Sequence, residues 1–455
     1  MTNIHARQVL TRDGWRDSVR LRLQSGKVAA LQAGVAAEPG DERHGTLVPA
    51  LGNLHSHAFQ RAMAGLAEVS GDSADNFWSW RDAMYRLAHR MDPDQLQAIA
   101  AQAYVEMLEC GFGRVGEFHY LHRSPDGEPY ADIGEMAGSI AAAAETTGIG
   151  LTLLPVFYAH STFGGSEPTP AQRRFLNTPE SYESLLQRCR TLTSGLPAAT
   201  VGVAPHSLRA VTAEELSAVA GMAGSAPVHI HVAEQVREVE ECIAWSGQRP
   251  IAWLLDHAPV DGNWCLVHAT HVTPEEVQGI AKSGAVVGLC PVTEANLGDG
   301  VFPVAELLGR NGKFGVGTDS NVHISLAAEL SLLEYSQRLT HRTRNVVRNV
   351  VRRETQSTGR AIMDVALAGG AQVLGGEGGT IAVGGPADFV SLNEQHAALA
   401  CRESDALLDA WIFASSGNVV DCVWIAGRKV VKDGRHFARQ EIKRGFVTAM
   451  KEMRS

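Results

Sequence analysis

Val48–His57 reads VPALGNLHSH, an apolar run that ends in two histidines separated by one residue. Side chains two apart on a strand share a face. His55 and His57 at a strand end therefore reach toward one point, and neutral imidazole is the commonest protein ligand for divalent transition metals. The pair alone is also compatible with two solvated loop histidines. Its meaning depends on whether later strand ends supply further ligands.

On the N-terminal side of this run, short alternating segments at Ala6–Leu10, Val19–Leu23 and Lys27–Leu31 are broken by Asp13-Gly14 and Ser25-Gly26, the pattern of small strands joined by hairpins. So short a β-unit cannot bury a core alone. A partner lies at the far end, where GGTIAVGGPADFVSL (378–392) and VVDCVWIAGRKVVK (419–432) repeat the strand pattern with glycine-rich turns. Residues 1–47 and 378–455 are therefore expected to form one small composite β-sandwich with a C-terminal helix, and residues 48–377 to be inserted between them.

On the C-terminal side, strand-like runs alternate with helical ones. The strands are Gly113–Phe118, Leu151–Phe157, Thr200–Ala204, Val228–His231, Trp264–Val267, Val286–Leu289 and Phe314–Gly317. The helices include Pro93–Cys110, Ile133–Thr147, Ala213–Gly221, Val232–Trp245 and Pro274–Ser283. With the strand before His55 this makes eight strands, and the fold expected is an α/β, TIM-like (β/α)8 barrel over 48–377. A doubly wound open sheet is the alternative, disfavoured because no G-x-G-x-x-G turn follows an early strand.

Composition narrows the function classes. The chain has 455 residues, 45% hydrophobic and 20% charged, as in an ordinary globular enzyme, with a formal net charge of -10. That charge argues against nucleic acid or an anionic membrane surface as the main partner. The seven cysteines contain no C-x-x-C pair, which predicts reduced thiols. No basic stretch precedes an apolar one at the N-terminus and no apolar run reaches spanning length, so a cytoplasmic protein is expected.

In a (β/α)8 barrel the site lies at the C-terminal ends of the strands. There VHIHVAE (228–234) places His231 at a strand end with Glu234 three residues on, CLVHAT (265–270) supplies His268, and FGVGTDS (314–320) supplies Asp319. Any one of these is explained as a hydrogen-bonded strand end; all of them in this order are not.

Together these pieces resemble the amidohydrolase superfamily, in its aminohydrolase branch, whose members often carry a composite β-sandwich. The resemblance implies that His55, His57, His231 and Asp319 hold the metal, one Zn2+ per chain, with Fe2+ or another divalent ion compatible with the same donors. Binuclear members bridge two ions through a carboxylated lysine on a central strand, and this chain has no lysine between Lys27 and Lys282. A single ion with an open position for water is expected. The catalytic residues implied are Glu234, His268 and Asp319. Asp319 takes the proton of the attacking water, His268 orients it, and Glu234 carries a proton to the substrate nitrogen and on to the leaving ammonia.

Within that branch the chain is most similar to the members that deiminate N-formimidoyl-L-glutamate in histidine degradation. The residues that carry this are Gln60 in LHSHAFQRAMAG, Arg81 in FWSWRD, Tyr120 in GEFHYLH, and His206 with Arg209 in APHSLR. The implied substrate is a small dicarboxylate, and a guanidinium fork pairs bidentately with a planar carboxylate. Read without the resemblance, Arg81 lies in a helix-like stretch and is as easily a surface charge or structural ion pair. Arg209 follows a strand end. The aromatic stretch Leu66–Arg90, with Phe77, Trp78 and Trp80, is either a lid over the site or a helix packed on the barrel rim or a subunit interface. The resemblance also implies a homodimer. The competing readings are another aminohydrolase, such as a guanine-type or heterocyclic amine deaminase, and a non-catalytic binding protein, disfavoured because no ligand is missing.

Overall fold

The computed structural model describes residues 2–69, 76–197, 199–351, 355–376, 378–417 and 419–453. The run 48–57 serves two sheets. Strand Glu42–Pro49 pairs parallel to Thr2–Thr11 and antiparallel to Phe389–Leu392, whereas Leu51–Ser56 pairs parallel to Phe112–His119. Only Ala50 separates them. Pro49, which has no N–H to offer a ladder, stands where one pairing ends and the next begins.

The first sheet has eight strands drawn from both chain ends. Its order in space runs from Arg435–His436 through Arg428–Lys432, Val420–Ile425, Phe389–Leu392, Glu42–Pro49 and Thr2–Thr11 to Gly14–Gln24 and Lys27–Gln32. Its buried residues, among them Ile4, Val19, Leu21, Leu47, Phe389 and Trp424, form a cluster separate from the main core. The sheet curls until its far hairpins meet. Val28 N–H bonds Gly385 O at 3.0 Å, Ala387 N–H bonds Gly26 O at 2.9 Å, and Gly427 N–H bonds Ala387 O at 3.0 Å. Those hairpins turn at Ser25-Gly26 and Ala426-Gly427, where both central residues have positive φ, as a type I′ turn requires. Not all of 378–455 is sheet. The helix Asp405–Ala414 sends Leu407, Leu408 and Trp411 into the main core, and Arg439–Glu452 packs on helix Pro93–Cys110.

The second unit is a closed parallel barrel. Strands Leu51–Ser56, Phe112–His119 and Gly150–Phe157 lie side by side, as do Val228–Val232, Trp264–His268, Val286–Leu289 and Lys313–Val316. The fourth strand, expected as Thr200–Ala204, is two short pieces, Thr200–Val201 and Ala204–Pro205, because Gly202 N–H turns to Leu153 O while Val203 N–H bonds Pro227 O. The circle closes where Asp319 N–H bonds His55 O and His57 N–H bonds Asp319 O, both at 2.9 Å. Leu54 fills the barrel axis, and Leu374, from the end of helix Thr358–Val373, enters from below. Glycines on the flanking strands make room: a Cβ on Gly288 would stand 2.9 Å from Leu54 Cδ1, and one on Gly52 2.5 Å from Leu374 Cδ1.

Helices Pro93–Cys110, Ala213–Gly221 and Pro274–Ser283 have the expected limits, each opened by a capping box from Asp92, Thr212 or Thr273. Two shift. The helix after strand five begins at Val236 rather than Val232, because Val232 still pairs in the strand and Ala233 has φ +53°. The third helix begins at Glu135 rather than Ile133, after Gly134. In the aromatic stretch 66–90 a helix runs from Phe77 to Ala88, capped by Asn76; residues 70–75 lie outside the described ones. Among the described residues no helix is long and apolar enough to cross a membrane.

Candidate active site

His55, His57, His231 and Asp319 come together at the C-terminal mouth of the barrel, all buried, with one donor atom from each lying within 4.8 Å of the others. His55 Nε2 stands 3.2 Å from His57 Nε2 and 3.0 Å from His231 Nε2, and Asp319 Oδ1 lies 3.5 Å from the first and 3.3 Å from the second. The tautomers decide what this means. His57 Nδ1–H donates to Phe118 O at 2.9 Å and His231 Nδ1–H to His206 O at 3.0 Å. Carbonyl oxygens only accept, so both Nε2 atoms present bare lone pairs. His55 Nε2 can donate to one of them at most, and its own Nδ1 has no partner among the described residues. Three nitrogen lone pairs and a carboxylate facing one point are a ligand set in want of a cation. Nitrogens held at about 2.0–2.1 Å around a tetrahedral ion sit roughly 3.3–3.4 Å apart, close to the spacing seen. Burial depresses all three imidazoles, His55 to about 3, which keeps them neutral as ligands must be.

A buried seam aims these donors. Asn53 Nδ2 donates to Thr318 Oγ1 at 2.7 Å, Thr318 N–H returns to Asn53 Oδ1 at 3.0 Å, and Thr318 Oγ1 donates to Asn321 Oδ1 at 2.6 Å. Asn321 Nδ2 then reaches Ser56 Oγ, His57 O and Asp319 O, each at 3.1 Å. Asp319 and Asn321 have φ of +43° and +55°, and His268 has +65°, conformations that cost non-glycine residues of order 1 kcal/mol and that a surrounding network must hold. Gly317 leaves the space this requires: a Cβ there would lie 2.7 Å from both His55 N and O. Gly317→Ala is expected to destabilise the fold by about 1–3 kcal/mol and to lower metal content, checked by thermal melting and elemental analysis.

Beside the donor set stands an acid–base group. His268 Nδ1 is 3.2 Å from Glu294 Oε1; its Nε2 is 3.8 Å from Glu234 Oε1 and 3.8 Å from Asp319 Oδ2. Burial alone would depress His268, but Glu234, Glu294 and Asp319 around it push it up to about 10. Glu234 is raised to about 7 by burial, opposed by His268. The backbone N–H groups of Ala233 and Glu234 are held by the buried Glu238, each at 3.1 Å, which fixes the direction of the Glu234 side chain.

Gln60, Arg81, Tyr120, His206 and Arg209 line the same cavity as His57, His231, Glu234, His268 and Asp319, with about 580 Å³ of empty space partly open to solvent; His55 sits behind it. Gln60 Nε2 donates to Tyr120 Oη at 3.0 Å and leaves its Oε1 without a partner. Arg81 and Arg209 form no salt bridge among the described residues, and the Nε of each is unpartnered. Sequence reading missed Glu294, Tyr158 and the Asn53–Thr318–Asn321 seam. Strands three and seven were the two without a candidate at their ends, and that gap is where Tyr158 and Glu294 stand.

The arrangement suits addition of water to a polarised C=N bond beside a proton donor, with an anion-binding wall opposite. Family models match nearly the whole chain: Amidohydrolase family over residues 46–430, and Formimidoylglutamate deiminase HutF, N-terminal domain, over residues 1–45. The chain is 48% identical to the formimidoylglutamate deiminase of Pseudomonas aeruginosa, all of both chains being covered. A 5-methylthioadenosine/S-adenosylhomocysteine deaminase of Desulfovibrio desulfuricans is 25% identical over 95% of this chain and 93% of its own. The crystal structure of an amidohydrolase from Brucella melitensis superposes with a TM-score of 0.95 at 53% identity, covering 100% of each chain. With a barrel-mouth His/His/His/Asp set, a sheet built from both chain ends and family models that together reach from residue 1 to residue 430, this chain belongs to the amidohydrolase family.

Proposed function

We propose that this chain hydrolyses N-formimidoyl-L-glutamate to N-formyl-L-glutamate and ammonia. The observation that carries the reading is one cavity with two poles: a four-donor set with Glu234 and His268 at its floor, and on its wall Arg81 and Arg209, which form no salt bridge among the described residues. The 48% identity to a formimidoylglutamate deiminase, against 25% to an adenosine-type deaminase, points the same way. A nucleobase carries no carboxylate for two guanidinium groups to clamp, whereas the glutamate moiety offers two.

His55, His57, His231 and Asp319 would hold a divalent ion, zinc in this reading and one per chain, which would supply Lewis acidity to bring the pKa of water from 15.7 toward about 7. The rest is done by side chains. Asp319 turns Oδ1 to the imidazoles and Oδ2 to His268, so the first oxygen would complete the donor set while the second receives the proton of the attacking water. His268, fixed by Glu294, orients that water. As the new C–O bond forms at the formimidoyl carbon, the C=N π pair moves onto nitrogen, which takes a proton from Glu234. The proton that Asp319 took, passed on through Glu234, makes the nitrogen a leaving group; the C–N bond breaks as the hydroxyl oxygen forms the formyl C=O, its O–H proton returning to Glu234, and ammonia leaves. Gln60 Oε1, Tyr120 and His206 border the amidine end, and the arginines take the carboxylates.

A coupled ammonia assay tests this. Release from N-formimidoyl-L-glutamate should exceed that from guanine, adenosine and other heterocyclic amines by orders of magnitude, in protein holding about one divalent ion per chain by elemental analysis. Faster release from a heterocycle would replace the reading with its alternative, and two ions at full activity would end the mononuclear part. The cytoplasmic setting rests on the cysteine pattern of the sequence, which contains no C-x-x-C pair, and the homodimer on family likeness.

A further inference from the structure

Three arginines surround one indole. The guanidinium carbon of Arg81 lies 4.4 Å from the Trp78 ring centroid, that of Arg237 4.5 Å and that of Arg209 5.7 Å, all inside cation–π range. They come from three places: Arg81 from the same helix as Trp78, Arg209 from the loop after strand four, Arg237 from the helix after strand five. Arg81 and Arg209 line the cavity; Trp78 does not. Arg237 is outside it, its side chain 60% exposed and paired with Glu241 at 2.6 Å. Three like charges converging on a cavity wall repel one another, and among the described residues no carboxylate forms a salt bridge with the inner two. What stands among them is the negative face of an indole.

Building on the dicarboxylate reading, we propose that Trp78 is a positioning residue for substrate specificity: its indole holds Arg81 and Arg209 ready for a dianion and is itself latched from outside by Arg237. The indole acts through the arginines and touches no reacting atom. It sets the affinity for two carboxylates and leaves the amidine end alone. Pre-organising the two guanidinium groups before substrate arrives spares their ordering on binding, where rotamer-rich side chains otherwise lose affinity. Because Trp78 and Arg81 share the helix Phe77–Ala88 while Arg209 and Arg237 belong to the barrel, the same contact ties that helix across the cavity mouth.

The test compares Trp78→Leu, Trp78→Phe and Arg237→Gln with the wild-type holoenzyme. N-formimidoyl-L-glutamate and N-formimidoyl-4-aminobutyrate, which lacks one carboxylate, serve as substrates, and glutarate as a non-reacting ligand in calorimetry. Trp78→Leu is expected to raise KM for the dicarboxylate about fivefold to thirtyfold and to weaken glutarate binding in step, with kcat changed less than about threefold. The monocarboxylate should lose several times less. Trp78→Phe keeps a quadrupole and should recover most of the loss, and Arg237→Gln should raise KM about twofold to fivefold. An unchanged KM in Trp78→Leu, equal losses for both substrates, or a Trp78→Phe variant as poor as Trp78→Leu would overturn the proposal while leaving the deiminase reading intact. If the wild type neither turns over the dicarboxylate nor binds glutarate, the substrate reading fails and this inference with it. If it binds glutarate without turnover, calorimetry alone decides on Trp78.

Discussion

Glu234→Gln protein is expected to retain its metal and its fold and to lose roughly 10²- to 10⁴-fold in kcat, the range that one positioned proton carrier contributes. The substitution keeps the shape and a hydrogen-bonding side chain, and Glu238 still holds the backbone N–H groups of residues 233 and 234. What disappears is the ability to give up and take back a proton. Burial has already brought Glu234 to about 7, with His268 opposing, which suits a group that works in both directions near neutrality. The four donors proposed for the metal are other side chains, so elemental analysis of the variant should match the wild type. A variant that keeps most of its turnover would remove Glu234 from the mechanism. One that loses its metal would make it a structural residue.

Arg209→Met comes next in size. Arg209 is 8% exposed, and burial would lower its guanidinium were it not for Glu238 nearby, which helps hold it above its ordinary value. A substrate carboxylate drawn into this site and left without its partner costs on the order of 2–5 kcal/mol, a fall in kcat/KM of roughly 30-fold to several thousandfold. Arg209→Lys should fail too, since a point-charge ammonium cannot reproduce a two-pronged contact. Arg81 is only half-buried, so Arg81→Met should show the smaller loss of the two. The deciding comparison uses an analogue lacking the matching carboxylate: each deletion should hurt the full substrate far more than the truncated one, a cycle between protein and ligand. Equal losses would make both arginines structural.

The residues that meet at the barrel mouth were readable because each closes or follows an apolar run: His55 and His57 end VPALGNLHSH, His231 lies in VHIHVAE, His268 ends CLVH and Asp319 follows FGVGT. Strand period and barrel polarity then suffice to put them at one mouth. Glu294 was hidden because it lies beyond a Cys-Pro step, inside the short helix Pro291–Leu297, where a glutamate reads as ordinary helix surface. Asn53, Thr318 and Asn321 carry no signal of their own, since their function lies in hydrogen bonds to one another across the barrel closure. Trp78 was visible as part of an aromatic cluster, and the helix indeed packs Phe77, Met84 and Tyr85. Its three cationic neighbours, however, come from separate stretches of chain, and no periodicity connects them. The splitting of residues 48–57 between two sheets was equally hidden, because a strand pattern does not say which neighbour it pairs with.

The seam from Asn53 to Thr318 joins residues 265 apart, and this bears on how the molecule is made. At about 5–20 residues per second, a ribosome that has just added the first histidine pair takes roughly 13–50 s more to reach the aspartate. Throughout that interval the nascent chain lacks the carboxylate, until residue 231 it lacks the third imidazole as well, and its growing row of strands lacks the one that closes it. Such long-range pairing forms late and slowly. The set of four donors is therefore complete only once synthesis has passed the eighth strand, the same strand end whose backbone bonds to His55 and His57 close the barrel.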